Sequence, residues 1–156
     1  MTGFRTISTD ELRSSLDEGR LQLVDVRPID AYNGWRLGGE TRGGHVPGAR
    51  TLPGKWAAYL DWIEIVRAKG LTPDRPIVVY GYDDEEGEPV ARLFGDAGWD
   101  DVRLYRSFVD EWAADDSLPL KRLPRHHHLV PADWLRELIS GGRPDSWQKE
   151  RYVVCH

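Results

Sequence analysis

An α/β domain, its mostly parallel sheet covered by helices on both faces, is predicted by three features of this sequence. Short apolar runs at Leu21–Val26, Pro76–Tyr80 and Asp101–Tyr105 have the apolar density of strands buried on two sides. Stretches with apolar residues at three- and four-residue spacing alternate with them. Glycine and proline punctuate the joins. The pattern occupies residues 1–124.

Ser8-Thr9-Asp10-Glu11 has the form of a capping box, a hydroxyl three residues ahead of a carboxylate, and Leu12 and Leu16 follow at helical spacing, so a helix is expected to run to Gly19. The strand Leu21–Val26 comes next. Residues 33–54 hold seven glycines at 34, 38, 39, 43, 44, 48 and 54, which predicts loop broken by a short strand near Ala49–Leu52. Trp56, Tyr59, Leu60, Ile63 and Val66 recur at helical spacing and predict one amphipathic helix over 55–67, closed by Gly70. Pro76–Tyr80 reads as a central strand, followed by an acidic loop over 81–88 and a helix that Pro89 opens. Asp101–Tyr105 is a further strand, and Phe108, Val109 and Trp112 form a short closing helix.

The chain has 156 residues, 40% of them hydrophobic, enough for one ordinary core and a remainder. With 21 Lys and Arg against 26 Asp and Glu, the net charge of -5 gives no electrostatic reason to bind nucleic acid or anionic membranes. No apolar run approaches the roughly 20 residues needed to cross a bilayer. The start lacks the charged-then-apolar order of a signal peptide, so a soluble, cytoplasmic protein is expected. The single cysteine, Cys155, allows neither an internal disulfide nor a cysteine-based metal cluster.

Beyond residue 124 the sequence repeats itself. Asp133-Trp134-Leu135-Arg136 through Gly142 follows the layout of Asp10-Glu11-Leu12-Arg13 through Gly19, and residues 151–156 supply a strand where the first copy has Leu21–Val26. A buried strand without the rest of its sheet leaves its backbone unpaired, so the natural protein is expected to continue. The alternative is that helix 133–140 and the last strand form a C-terminal extension docked on the first domain.

Asp25-Val26-Arg27-Pro28, then Tyr32-Asn33-Gly34-Trp35, then Arg42-Gly43-Gly44-His45-Val46-Pro47-Gly48-Ala49 form a recognisable series. The chain resembles the rhodanese (sulfurtransferase) family, which has a Gly-His-Ile/Val-Pro-Gly-Ala turn after an Asp-x-Arg strand end. The resemblance spans about residues 7–120 and continues through Ile77-Val78-Val79-Tyr80 and Ala97-Gly98-Trp99. The internal repeat is similar to that of tandem thiosulfate or mercaptopyruvate sulfurtransferases. That layout implies a rhodanese-like domain at 1–124, a linker at 125–132 and a truncated second rhodanese-like unit at 133–156.

The resemblance implies transfer of a sulfane sulfur, from thiosulfate or mercaptopyruvate, through a cysteine persulfide. The sulfur must be a thiolate, which a loop between a strand end and a helix N-terminus favours through converging N–H groups and the helix dipole. By strand position the family's cysteine belongs directly after Tyr80, where this chain has Gly81. No Ser or Thr lies between Gly81 and Phe94 to substitute. The degenerate loop reads Gly81, Tyr82, Asp83, Asp84, Glu85, Glu86, Gly87, Glu88, and its five carboxylates would repel an anionic donor. They also suit a helix N-terminus, and their spacing does not fit a calcium loop. Cys155 matches Asp25 in the repeat, so an inert thiol is expected there. His126-His127-His128, adjacent on an extended linker, point to different sides and are not expected to share a metal.

Arg27 and Arg42 flank loops at the carboxyl end of the sheet and are candidates for facing the pocket, although Arg27 can equally pair with Asp25 or Asp30. His45 has a structural hydrogen-bonding reading and a pocket reading. Where the family usually shows Leu-x-Gly-Gly, this chain has Leu104-Tyr105-Arg106-Ser107, whose side chains are expected to narrow the pocket. Two functional readings follow, neither requiring a cofactor or metal. One is a non-catalytic domain that shapes the active site of a second rhodanese-like domain in the same longer protein. The other is a stand-alone regulatory module recognising a basic protein partner. A phosphatase of related fold needs the same absent loop cysteine and is discounted.

Overall fold

The computed structural model describes residues 3–144 and 151–155. The chain groups into two compact units, residues 1–124 and 125–156. In the first, five strands form one sheet: β1 (Arg5–Thr6), β2 (Gln22–Asp25), β3 (Arg50–Thr51), β4 (Ile77–Tyr80) and β5 (Val102–Tyr105). Their order is β1-β5-β4-β2-β3 and every pairing is parallel. All strands therefore end at the same edge, where the segments after β2, β4 and β5 converge.

Alternation along the central strands divides the core into two layers. Leu23, Val78, Tyr80 and Tyr105 face one side, with Leu12 of α1 (Thr9–Asp17) and with Phe108 and Trp112 of a single π-helical turn over Phe108–Trp112. Val24, Val26, Ile77, Val79 and Leu104 face the other. There they meet Val66 of α3 (Trp62–Ala68) and Val90, Ala91 and Phe94 of α4 (Asp84–Asp96). A short α2 (Ile29–Asn33) follows β2. The capping box of α1 forms in full: the Ser8 hydroxyl accepts from the Glu11 N–H and the Glu11 carboxylate accepts from the Ser8 N–H.

Three segments depart from the sequence reading. The single helix expected over 55–67 is a 3-10 turn at Gly54–Ala58 and a separate α3, because Tyr59 takes an extended backbone that ends the first piece. Trp56 and Ile63 still pack on the core, while Leu60 of the expected apolar stripe is fully exposed. The acidic loop ends early. Asp83 is the N-cap of α4, its carboxylate accepting from the Glu86 N–H, so Asp84, Glu85, Glu86 and Glu88 lie in the first turns of the helix. Carboxylates are favoured at that end of the dipole. Pro89 consequently sits inside α4 and does not open it; its ring is exposed.

In the second unit, α5 (Ala132–Ile139) is preceded by a 3-10 turn over the three histidines, not by extended chain. Described residues 151–155 form no strand and Val153 is 87% exposed, in contrast to the strand expected at 151–156; His156 lies outside the described residues. Within this unit 151–155 meets no strand to pair with, and apolar sequence alone does not hold a strand. No helix among the described residues is long and apolar enough to cross a membrane.

Candidate functional site

The carboxyl edge of the sheet carries a buried polar constellation built from β2, β4 and the glycine-rich loop. Asp25, the last residue of β2, accepts two hydrogen bonds from the Arg27 guanidinium, at 3.0 Å from Nε and 2.7 Å from Nη2. It also accepts one from the Tyr80 hydroxyl at 2.8 Å. That hydroxyl accepts in turn from the Val46 N–H at 3.1 Å, which ties the Gly-His-Val-Pro-Gly turn to β4. The Arg27 side chain is wholly inaccessible to solvent. Its Nη2 also donates to the Gly44 carbonyl, its Nη1 lies 3.6 Å from Glu40, and its guanidinium carbon is 4.1 Å from the centre of the Phe108 ring. Burial works against its charge, but the Asp25 hydrogen bonds and charge outweigh it and hold the guanidinium firmly protonated.

Glu40 closes the constellation from the loop side. Its carboxylate accepts from the Gly38 N–H at 2.8 Å, the Leu37 N–H at 3.3 Å and the Tyr82 hydroxyl at 2.5 Å. Burial alone would raise its titration point, but these bonds hold it below the usual carboxylate range. Tyr82 thus reaches across the sheet edge. Its ring lies so close to Gly38 that a Cβ there would meet the ring at 2.4 Å, and it stands 5.3 Å from the Arg27 guanidinium. Burial and the Glu40 hydrogen bond push the Tyr82 hydroxyl well above its ordinary titration range.

Gly81 follows β4 directly. A Cβ placed on it would lie 2.9 Å from Glu86 Oε2, 2.9 Å from Val26 Cγ2 and 3.1 Å from Glu86 Cβ. The Glu86 carboxylate accepts from the Tyr82 N–H at 2.8 Å. Burial, and then the charges of Asp83 and Asp25, raise Glu86 above its ordinary value. On the β5 side of the loop a cleft of about 260 Å³ is lined by Gly81, Tyr82, Tyr105 and Arg106 among others. Arg106 bridges its rim, pairing with Asp84 at 2.6 Å and donating to the Thr6 hydroxyl at 2.5 Å. It stands beside the loop without closing the cleft.

The remaining candidates are elsewhere. The Arg42 guanidinium donates to the carbonyls of Trp112, Ala113, Asp115 and Leu118, so it clamps the segment after the π-helical turn and does not face the loop. His45 stacks on Tyr32 at 3.6 Å and donates from Nδ1 to the Tyr32 carbonyl, while burial lowers its titration point. Cys155 is exposed. No group of three or more metal-ligating side chains occurs among the described residues.

Glu40 was not legible as a site residue. It stands alone among glycines, and nothing in sequence connects it to a tyrosine 42 residues on. Tyr80 likewise read as an ordinary strand residue, whereas Asp25 was legible as the Asp-x-Arg strand end and as a partner for Arg27.

A parallel α/β sheet with a strand-to-helix loop at its carboxyl edge, joined to an Asp-x-Arg strand end and a Gly-His-Val-Pro-Gly turn, defines the class of fold. Residues 8–115 match the rhodanese-like domain, and the chain belongs to that family. It is 26% identical over 123 residues to thiosulfate sulfurtransferase YnjE of Escherichia coli (strain K12), a match covering 77% of this chain and 27% of that protein. Among solved structures it resembles wild-type EanB, with 41% identity and a TM-score of 0.88, covering 99% of this chain and 36% of that one. It also resembles the anaerobic ergothioneine biosynthesis enzyme from Chlorobium limicola in complex with trimethyl histidine, with 42% identity and a TM-score of 0.87 over the same shares. A further EanB structure holds ergothioneine covalently linked with a persulfide cysteine. The chain spans about a third of the length of these relatives or less.

Proposed function

We propose that this chain is a non-catalytic rhodanese-like domain of a longer sulfurtransferase whose persulfide forms on a cysteine outside these residues. The observation that carries this reading is Gly81: the loop that follows the central strand has no thiol, and a side chain there meets Val26 and Glu86. The domain then serves as scaffold or cover for a second rhodanese-like domain, and residues 125–132 link the two. Identity of 41% across nearly the whole chain to EanB supports trimethyl histidine as the sulfur acceptor of the longer protein. In that reaction a persulfide RSSH places one sulfur atom in a C–H bond of the acceptor and returns as RSH, so atoms and electrons balance with no added oxidant.

The test is to read the frame beyond codon 156, express the full protein and supply a persulfide donor with trimethyl histidine. A second Gly-His-Ile/Val-Pro-Gly-Ala turn, a cysteine after an apolar strand and a thiolated product support the reading. A stop codon at 157 overturns it and favours the stand-alone module for a basic partner, whose surface would be the exposed Asp83, Asp84 and Glu85.

A further inference from the structure

A missing cysteine leaves a loop chemically silent, but it need not leave the loop closed. The geometry here goes further. In a sulfur-carrying loop the space above residue 81 must hold a sulfur atom, and the N–H groups that follow must be free to face an anion. In this chain the space and the first of those N–H groups are taken. The Glu86 carboxylate sits 2.9 Å from the position of a Cβ on Gly81, and its Oε2 accepts from the Tyr82 N–H at 2.8 Å. Within the first turn of the helix, the Glu86 N–H is bonded to the Asp83 carboxylate. Tyr82, whose side chain could otherwise swing, is anchored by its hydroxyl to Glu40 and lies against Gly38.

We propose that Glu86 is a built-in occupant of this loop: its carboxylate fills the place of the sulfur and takes the Tyr82 N–H that would face an anionic donor, so sulfur chemistry at residue 81 is opposed by packing as well as by the absent thiol. The inference rests on the reading above only in taking residue 81 as the nucleophile position. A single Gly81→Cys change is therefore not a restoration. The new Cβ meets Val26, which is buried in the core, and the Glu86 carboxylate, which holds the Tyr82 N–H, so one or both must shift to make room.

The experiment uses the full chain with Cys155→Ser, so that any thiol is the introduced one. Gly81→Cys is compared with Gly81→Cys/Glu86→Ala by the rate of alkylation with iodoacetamide, with circular dichroism melting as the check on folding. The double variant is expected to react about tenfold faster or more than the single one, because removing the carboxylate both opens the space and withdraws a negative charge from the thiolate. Equal rates overturn the inference.

A second measurement needs no introduced thiol. In a ¹H–¹⁵N spectrum, thiosulfate is expected to shift the Tyr82 amide of Glu86→Ala and to leave it unmoved in the unaltered chain. A shift of the same size in both overturns the occupancy. Sulfur uptake by the double variant is a separate readout: thiolate attack on thiosulfate forms the S–S bond and releases sulfite with the electron pair. A reactive thiol that takes up no sulfur would count against residue 81 as a nucleophile position and leave the packing of Glu86 over residue 81 standing.

Discussion

Arg27 concentrates the energetics of the sheet edge. It is fully buried between two carboxylates, bonded to Asp25 and 3.6 Å from Glu40. Removing it leaves both acids desolvated without their counter-charge, and Arg27→Met is expected to destabilise the domain by about 3–5 kcal/mol, read as a lower urea midpoint. The sequence allowed Arg27 either to face the pocket or to pair with Asp25. The outcome depended on whether the loop brought a second acid to it, and Glu40 does so from 13 residues away. Acid pH tests the same group with a definite sign. Because the folded Glu40 titrates below its ordinary value near 4.5, its contribution is present above that pH and is lost as pH falls through the lowered folded value. Glu86, raised on folding, acts in the opposite sense: its contribution is present at low pH and lost as pH rises through its folded value. Glu40→Gln is therefore expected to lose less stability than the unaltered chain as pH falls from above the ordinary Glu40 value near 4.5 through the lowered folded value, measured by urea titration at each pH.

At the scale of elements, legibility followed local chemistry. The capping box at Ser8 and the apolar runs of β2, β4 and β5 were readable because their signals lie within a few residues. The start of α4 was misplaced because Pro89 is the louder signal, yet the Asp83 side chain defines the cap. Asp83→Ala is expected to cost about 1 kcal/mol through loss of that bond, seen as a lower midpoint in thermal or urea unfolding. The same change frees the Glu86 N–H without touching the Glu86 carboxylate. Trp56 to Val66 carried a helical stripe, but its two halves answer to different neighbours. The 3-10 turn packs on α4, and α3 presents Val66 to the sheet, so the extended Tyr59 between them was settled by tertiary packing, which the spacing of apolar residues does not encode.

The whole molecule is a complete sheet plus a remainder. Fold and family were readable from the Asp-Val-Arg and Gly-Gly-His-Val-Pro-Gly-Ala elements because these do structural work: Asp25 and Arg27 bind each other, Gly44 offers its carbonyl to Arg27, and the Val46 N–H reaches Tyr80. After residue 132 the sequence predicts a helix and then a strand. The helix forms as α5, whereas the apolar stretch that follows forms no strand in residues 151–155. The account stands on catalysis lying outside this chain, and thiosulfate-to-cyanide sulfur transfer tests that most directly. The intact chain and its Cys155→Ser variant are both expected to form thiocyanate at the background rate. Turnover above background in either would contradict the account, and its loss in Cys155→Ser would identify the exposed thiol as the sulfur carrier.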